Sequence, residues 1–168
     1  RPGTQGFSVP LVGASLFFII SLFLFASYKN SAYQQAKKEI YSLYTANRAF
    51  DLDEVYQDGL TAIYAKEYGK TATEAGCEAL EQTGLPYVLL LSQFSAPVER
   101  VYVTNCQLSE TGREKKARTY DYTVSVRFCL EKGDEVLAPE KTMDFHGTVV
   151  MKKKGWFRWL LDGVTLGE

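Results

Sequence analysis

The chain has 168 residues, with 19 basic and 20 acidic side chains and a formal net charge of −1, a balance that argues against a duplex-binding surface spread over the whole molecule. Its 46% hydrophobic content, with eleven tyrosines and ten phenylalanines, is enough for a dense core. Three cysteines, Cys77, Cys106 and Cys129, are an odd number without a two-residue spacing, which supports neither a metal cluster nor a disulfide framework.

In chain order the first element is Phe7 to Tyr28. No charged residue occurs between Arg1 and Lys29, and Leu16 to Phe25 reads Leu-Phe-Phe-Ile-Ile-Ser-Leu-Phe-Leu-Phe. A bilayer core about 30 Å thick needs about 20 apolar residues at 1.5 Å each, so the stretch predicts a membrane span over residues 7–28 within an anchor of 1–30. A cleavable signal would need a basic start, a shorter apolar core and a small-x-small cleavage site, and none of these fits. Pro10, Ala14, Phe17 and Ser21 share one side at helical spacing; small residues allow close approach, and that side is expected to pack on a partner helix. Lys29, Lys37, Lys38 and Arg48 follow the span while only Arg1 precedes it. The basic bias places the following domain on the cytoplasmic, matrix or stromal side.

Residues 31–168 then form one soluble α+β domain, with helices over about 31–84 and a sheet over about 99–166. Tyr33, Ala36, Ile40, Leu43, Tyr44 and Phe50 recur at helical spacing over Ser31 to Phe50, opposite Lys37, Lys38 and Glu39. Asp51, Asp53 and Glu54 can cap a second helix running through Val55, Tyr56, Leu60, Ile63 and Tyr64 to about Gly69. Thr71-Ala72-Thr73-Glu74 has a capping-box pattern, predicting a third helix that Gly84 and Pro86 end. Tyr87 to Leu91 is an apolar run that periodicity alone leaves open between helix and strand.

From Val101 onward the period changes to two. Arg118, Tyr120, Tyr122, Val124, Val126, Phe128 and Leu130 make one face of a long strand; Met143, Phe145, Val149 and Met151 make a similar face; Phe157, Trp159 and Leu161 begin another strand. Turns are expected at Thr111-Gly112-Arg113, Lys132-Gly133-Asp134 and Lys154-Gly155. The result is a four-stranded antiparallel meander with one apolar face, to be covered by the preceding helices. In a meander the first and third turns share one end. That end gathers Arg113, Lys115, Lys116, Lys152, Lys153 and Lys154, and the other is expected to gather Glu131, Asp134, Glu135, Glu140 and Asp162. The basic pole suits anionic lipid headgroups or an acidic neighbour, although solvated lysines at hairpin tips are equally ordinary.

Catalytic patterns are sparse. His146 is the sole histidine, and Asp144, two residues earlier, falls on the same strand face, as an oriented base would require; no motif places a nucleophile beside them. Glycine-rich phosphate loops are absent from the sequence. Lys152 to Arg158 interleaves basic and aromatic residues, a pattern compatible with single-stranded nucleic acid but better explained by a hairpin with core aromatics. No cofactor, metal, nucleic acid or small-molecule substrate is expected.

Helices followed by a long meander that ends Gly-Trp-Phe-Arg-Trp-Leu-Leu-Asp-Gly-Val (Gly155 to Val164) are similar to the nuclear-transport-factor-like superfamily, in particular to membrane-tethered members such as the inner-membrane scaffold subunits of conjugation machines. A second resemblance, to the mitochondrial inner-membrane family of cytochrome-oxidase assembly and presequence-translocase subunits, lies in Ser31-Ala32-Tyr33-Gln34-Gln35-Ala36, Gly84-Leu85-Pro86 and Gly147-Thr148-Val149 before Gly155-Trp156. Both resemblances imply non-catalytic work. The expectation is a single-pass accessory or assembly subunit of a larger complex, in an organellar inner or energy-transducing membrane or a bacterial cytoplasmic membrane. Its partners would be other subunits and the lipid bilayer. The alternative is a membrane-tethered enzyme or small-ligand binder using the pocket between sheet and helices, as some members of the first superfamily do with an acid inside it. A free-standing anchored domain of a bacterial surface or secretion system is a third possibility.

Overall fold

A computed structural model describes residues 9–29, 31–45, 55, 57–85, 98–130 and 141–167. Among these, four helices, α1 (Val9–Lys29), α2 (Ala32–Thr45), α3 (Leu60–Tyr68) and α4 (Glu74–Thr83), precede the strands β1 (Val98–Arg113), β2 (Ala117–Leu130), β3 (Lys141–Lys154) and β4 (Arg158–Val164). The strands form one antiparallel sheet in the order β1-β2-β3-β4. The expected α+β meander is therefore present. The apolar run at Tyr87 to Leu91, the capping acids Asp51, Asp53 and Glu54, and the acidic group Glu131, Asp134, Glu135 and Glu140 lie outside the described residues.

Strand β2 forms the centre of the core because its alternation is unbroken. Tyr120, Tyr122, Val124, Val126 and Phe128 are buried on one face while Asp121 and Thr123 are exposed on the other. Across that face lies α2, whose Ala32, Ala36, Ile40, Leu43 and Tyr44 are buried at spacings of one and two helical turns. A polar chain then fastens helix to sheet. The Tyr122 hydroxyl donates to the Thr165 carbonyl at 3.0 Å, so the single proton of that hydroxyl is used and the Tyr44 hydroxyl, 3.0 Å away, is the donor to Tyr122. Burial pushes both phenols above their ordinary pKa. Gly147 makes this possible, since a Cβ there would lie 2.0 Å from the Thr165 carbonyl oxygen and 2.8 Å from the Tyr122 hydroxyl.

Several expectations need correction. Strand β1 carries register shifts between Val98 and Arg100, between Val103 and Asn105 and between Glu110 and Gly112; each bulge changes the phase of the alternation. Val101 and Val103 pack against the core before the shift between Val103 and Asn105, and Cys106 and Leu108 after it. Gly112 lies within β1, not in a turn, and the connection runs over 114–116. The second helix is not continuous from Val55: Gly59, at φ 77°, interrupts it, and α3 starts at Leu60. Ile63 and Tyr64 are buried as expected, but Leu60 is exposed.

The edge of β4 is covered rather than open. Thr73 N–H donates to the Leu161 carbonyl at 2.8 Å and Leu161 N–H to the Thr71 carbonyl at 2.9 Å, so Ala72 pairs parallel to Leu161. This blunts an edge that would otherwise template further pairing. Thr73 then caps α4, its hydroxyl accepting from Gly76 N–H at 3.1 Å and donating to Asp162 Oδ1 at 2.6 Å. The reciprocal half of a capping box is missing because the third helical residue is Gly76 and Glu74 is the first. Gly84, left-handed at φ 72°, closes the helix as expected, its N–H directed at the Leu80 and Glu81 carbonyls.

Candidate membrane-facing site

Helix α1 covers 21 residues, about 31 Å at 1.5 Å per residue. Its large side chains stay largely uncovered by the domain: Leu16, Phe17, Phe18, Ile19, Ile20, Leu22, Phe23, Leu24 and Phe25 are all between 48% and 75% exposed. Among the described residues no single helix is long and apolar enough to cross a membrane by itself, the described side chains of α1 beginning at Ala14. One bent pair, Ala14–Tyr28 with Ala32–Thr45 at 47°, passes on length and composition. Since α2 has its apolar face buried under the sheet, α1 is the only member of that pair with its apolar surface uncovered. Ala14, Phe17 and Ser21 are exposed; the side chain of Pro10 lies outside the described set.

The domain end nearest α1 is the basic one. Tyr33, in the first turn of α2, meets Tyr120 edge-on at 6.0 Å, whereas Tyr44, in the last turn, meets Phe145 at 5.3 Å. Tyr120 pairs with Val149 and Phe145 with Val124, so α2 starts near the turns at 114–116 and 155–157 and runs toward the opposite end of the sheet. At the near end the two turns are joined by Lys153 N–H donating to the Lys116 carbonyl at 2.7 Å. Between them opens a cleft of about 410 Å3 lined by Lys115, Lys116, Lys153, Gly155 and Trp156. A second, of about 460 Å3, lies toward α4 and takes in Thr73, Glu74, Lys152, Lys153, Lys154 and Leu160.

The six residues expected at the basic pole are brought to this end, but they are not equivalent. Arg113 is held by Glu110 through two hydrogen bonds, Nε to Oε1 at 2.6 Å and Nη2 to Oε2 at 3.1 Å. The bond from Arg113 holds the Glu110 carboxyl below its usual value. Lys152 lies 3.6 Å from Asp162. Asp162 therefore belongs to the basic end, contrary to expectation, because β4 spans only seven residues and does not carry it to the far end. Among the described residues no carboxylate pairs with Lys115, Lys116 or Lys154. Lys153 lies over the Trp159 ring at 5.9 Å, and Arg118 over the same ring at 5.5 Å.

The aromatics of this turn divide, which sequence reasoning missed. Trp159 packs against the core. Phe157 is in the turn, not in β4, and is 46% exposed, while Trp156 is 87% exposed. They are not the core aromatics of a hairpin. A usable signal was present in Lys-Lys-Lys-Gly-Trp-Phe-Arg (Lys152 to Arg158): a strand of such a meander has no reason to place two large aromatics in its turn. Phe157 also touches α1, meeting Phe23 edge-on at 5.9 Å and 83°.

Elsewhere, Asp144 and His146 are both exposed on the sheet face away from α2, and no hydrogen bond or ion pair joins them. The backbone of Gly167 lies against the His146 ring and donates to the His146 carbonyl at 2.8 Å. No disulfide forms among the cysteines; Cys77 and Cys106 are buried and Cys129 is half-buried. No cluster of three metal-ligating side chains occurs among the described residues. Comparison with family models, curated proteins and solved structures finds no match to this chain.

Proposed function

We propose that the protein is a single-pass membrane accessory or assembly subunit whose α+β domain supplies protein contacts beside the bilayer. The observation that carries this reading is the uncovered surface of α1. Nine large apolar side chains at roughly half to three-quarters exposure leave on the order of 1,000 Å2 of apolar area, worth roughly 25 kcal/mol at about 25 cal/mol per Å2 if kept from water. That exceeds the net stability of an ordinary domain and any apolar patch a monomer in water normally shows. Lipid or the helices of other subunits must cover it, and the side carrying Ala14, Phe17 and Ser21 is the one proposed to meet another subunit. Phe23 lies about 150° around the axis from the midline of that side at 100° per residue, so contact with the chain's own Phe157 leaves it unobstructed.

The test is to solubilise native membranes in a mild detergent and compare the parent with Ala14→Leu/Ser21→Leu. The parent should migrate in an assembly larger than itself and the variant should leave it while remaining membrane-bound. Both chains migrating alone would count against the accessory role. The alternative, a tethered small-ligand binder, finds its best support in Glu39, a half-buried carboxylate that burial holds above its usual pKa. Glu39 lines neither cleft described above; its neighbours Lys38 and Thr71 both favour its charged form. The accessory reading is therefore preferred.

A further inference from the structure

We propose that the β3–β4 turn, Gly155-Trp156-Phe157, is a second lipid contact: Trp156 and Phe157 lie in the interfacial layer of the bilayer that holds α1, and Lys115, Lys116 and Lys153 meet anionic headgroups around the adjoining cleft. This rests on the reading of α1 as a span.

Position is the first argument. Phe157 touches Phe23, and Phe23 precedes Lys29, the first charge after the apolar stretch, by six residues. Six residues of helix are about 9 Å, within the depth of about 5–10 Å at which interfacial side chains sit. With α1 in lipid and Lys29 at the headgroups, the turn reaches the acyl boundary. Side-chain chemistry is the second. Trp156 is 87% exposed although Trp159, three residues on, is packed into the domain. An indole with an apolar body and one N–H donor suits the membrane–water interface, where tryptophan is enriched.

Charge is the third argument. At this end Glu110 holds Arg113 and Asp162 holds Lys152, while Lys115, Lys116 and Lys153 line the open cleft beside Trp156. A basic side chain near an anionic surface multiplies binding by about five. An acidic protein would answer the lysines but would give no reason for the turn to lie against α1. Lipid accounts for the lysines, the aromatics and the position together.

The experiment uses the full chain carrying Trp159→Phe, so that Trp156 is the remaining tryptophan, reconstituted into vesicles of equal parts phosphatidylcholine and phosphatidylglycerol. Alkaline carbonate extraction is run on the same vesicles. The expected result is a carbonate-resistant protein whose Trp156 emission is blue-shifted, quenched by lipids brominated near the headgroup and shielded from aqueous iodide. The parent chain and Trp156→Phe, compared in the same vesicles, give the Trp156 signal by difference and guard against a fold change in the variant. Carbonate-resistant protein with Trp156 open to iodide overturns the proposal and leaves α1 as a span. Extraction by carbonate overturns the span and the proposal with it. Shielding from iodide found in native membranes but not in pure lipid assigns the turn to a protein partner and likewise overturns it. Finally, Lys115→Glu/Lys116→Glu/Lys153→Glu should shift the docked turn toward the undocked state by more than tenfold in anionic vesicles and leave phosphatidylcholine vesicles unaffected. An equal response in both refutes the headgroup contact.

Discussion

Removing either hydroxyl of the Tyr44–Tyr122 pair should cost unequal amounts, and the order follows from which oxygen donates. Tyr44 and Tyr122 are 0% and 2% exposed, and the proton of Tyr122 goes to Thr165, leaving its oxygen as the acceptor for Tyr44. In Tyr44→Phe the Tyr122–Thr165 bond survives and one neutral bond is lost, for about 1 kcal/mol. In Tyr122→Phe the Tyr44 hydroxyl is stranded in the core. An unsatisfied buried donor costs about 1–3 kcal/mol beyond the lost bond, so the total is roughly 2–4 kcal/mol. The double variant removes the stranded group as well and leaves only the Thr165 carbonyl, on an exposed residue, to find water. It should therefore be more stable than Tyr122→Phe alone, with a coupling energy of about 1 kcal/mol or more. Guanidinium unfolding of the full chain in detergent, followed by near-ultraviolet circular dichroism, measures all four corners of the cycle. If Tyr44→Phe is the costlier single change, or if the two costs add, Tyr44 is not the donor to Tyr122.

Gly147→Ala should destabilise by more than about 2 kcal/mol, since the new methyl collides with the Thr165 backbone and not with a movable side-chain end; a change of a few tenths in the same denaturation assay would refute this. Thr73→Ala removes both the α4 cap and the bond to Asp162 and should cost about 1–2 kcal/mol, with Thr73→Ser recovering most of it. Glu39→Gln tests the buried carboxylate. Because burial raises its folded-state pKa, the folded chain holds the proton more tightly than the unfolded one. The contribution of Glu39 is then fully present below the unfolded carboxylate value of about 4.3 and is lost as pH rises through the folded value. The variant should melt higher than the parent at neutral pH and lose that advantage in acid; a lower melting point at neutral pH would mean that Lys38 and Thr71 outweigh burial. Cys77 and Cys106, whose thiols burial holds above the ordinary value, should react with iodoacetamide only once the chain is unfolded, which mass spectrometry of the labelled peptides would show.

Where the chain obeyed a single local rule, its structure was legible. Strand β2 pairs on both sides and with β3 without a register shift, so its alternation survives from sequence to fold. The α2 stripe and the end of α4 at Gly84 likewise follow from periodicity and capping chemistry, whereas the α4 cap falls on Thr73 and not on Thr71, the first residue of the capping-box pattern. Strand β1 was harder because a bulge is decided by the partner strand, and nothing in Val103-Thr104-Asn105 announces one. Asp162 was misplaced for a related reason: its position depends on where β4 stops, which pairing with β3 and the cover at Ala72 determine.

By itself the amino-acid order determined the uncharged apolar stretch, the helices-then-meander succession and the gathering of lysines at two turns, since each depends on neighbours a few positions apart. Tertiary structure alone decided which of those lysines a carboxylate holds, that Trp156 faces outward while Trp159 packs inward, and that Phe157 rests on Phe23. Those outcomes depend on contacts between residues distant in the chain, which come together only when the sheet, α2 and α1 have taken their places.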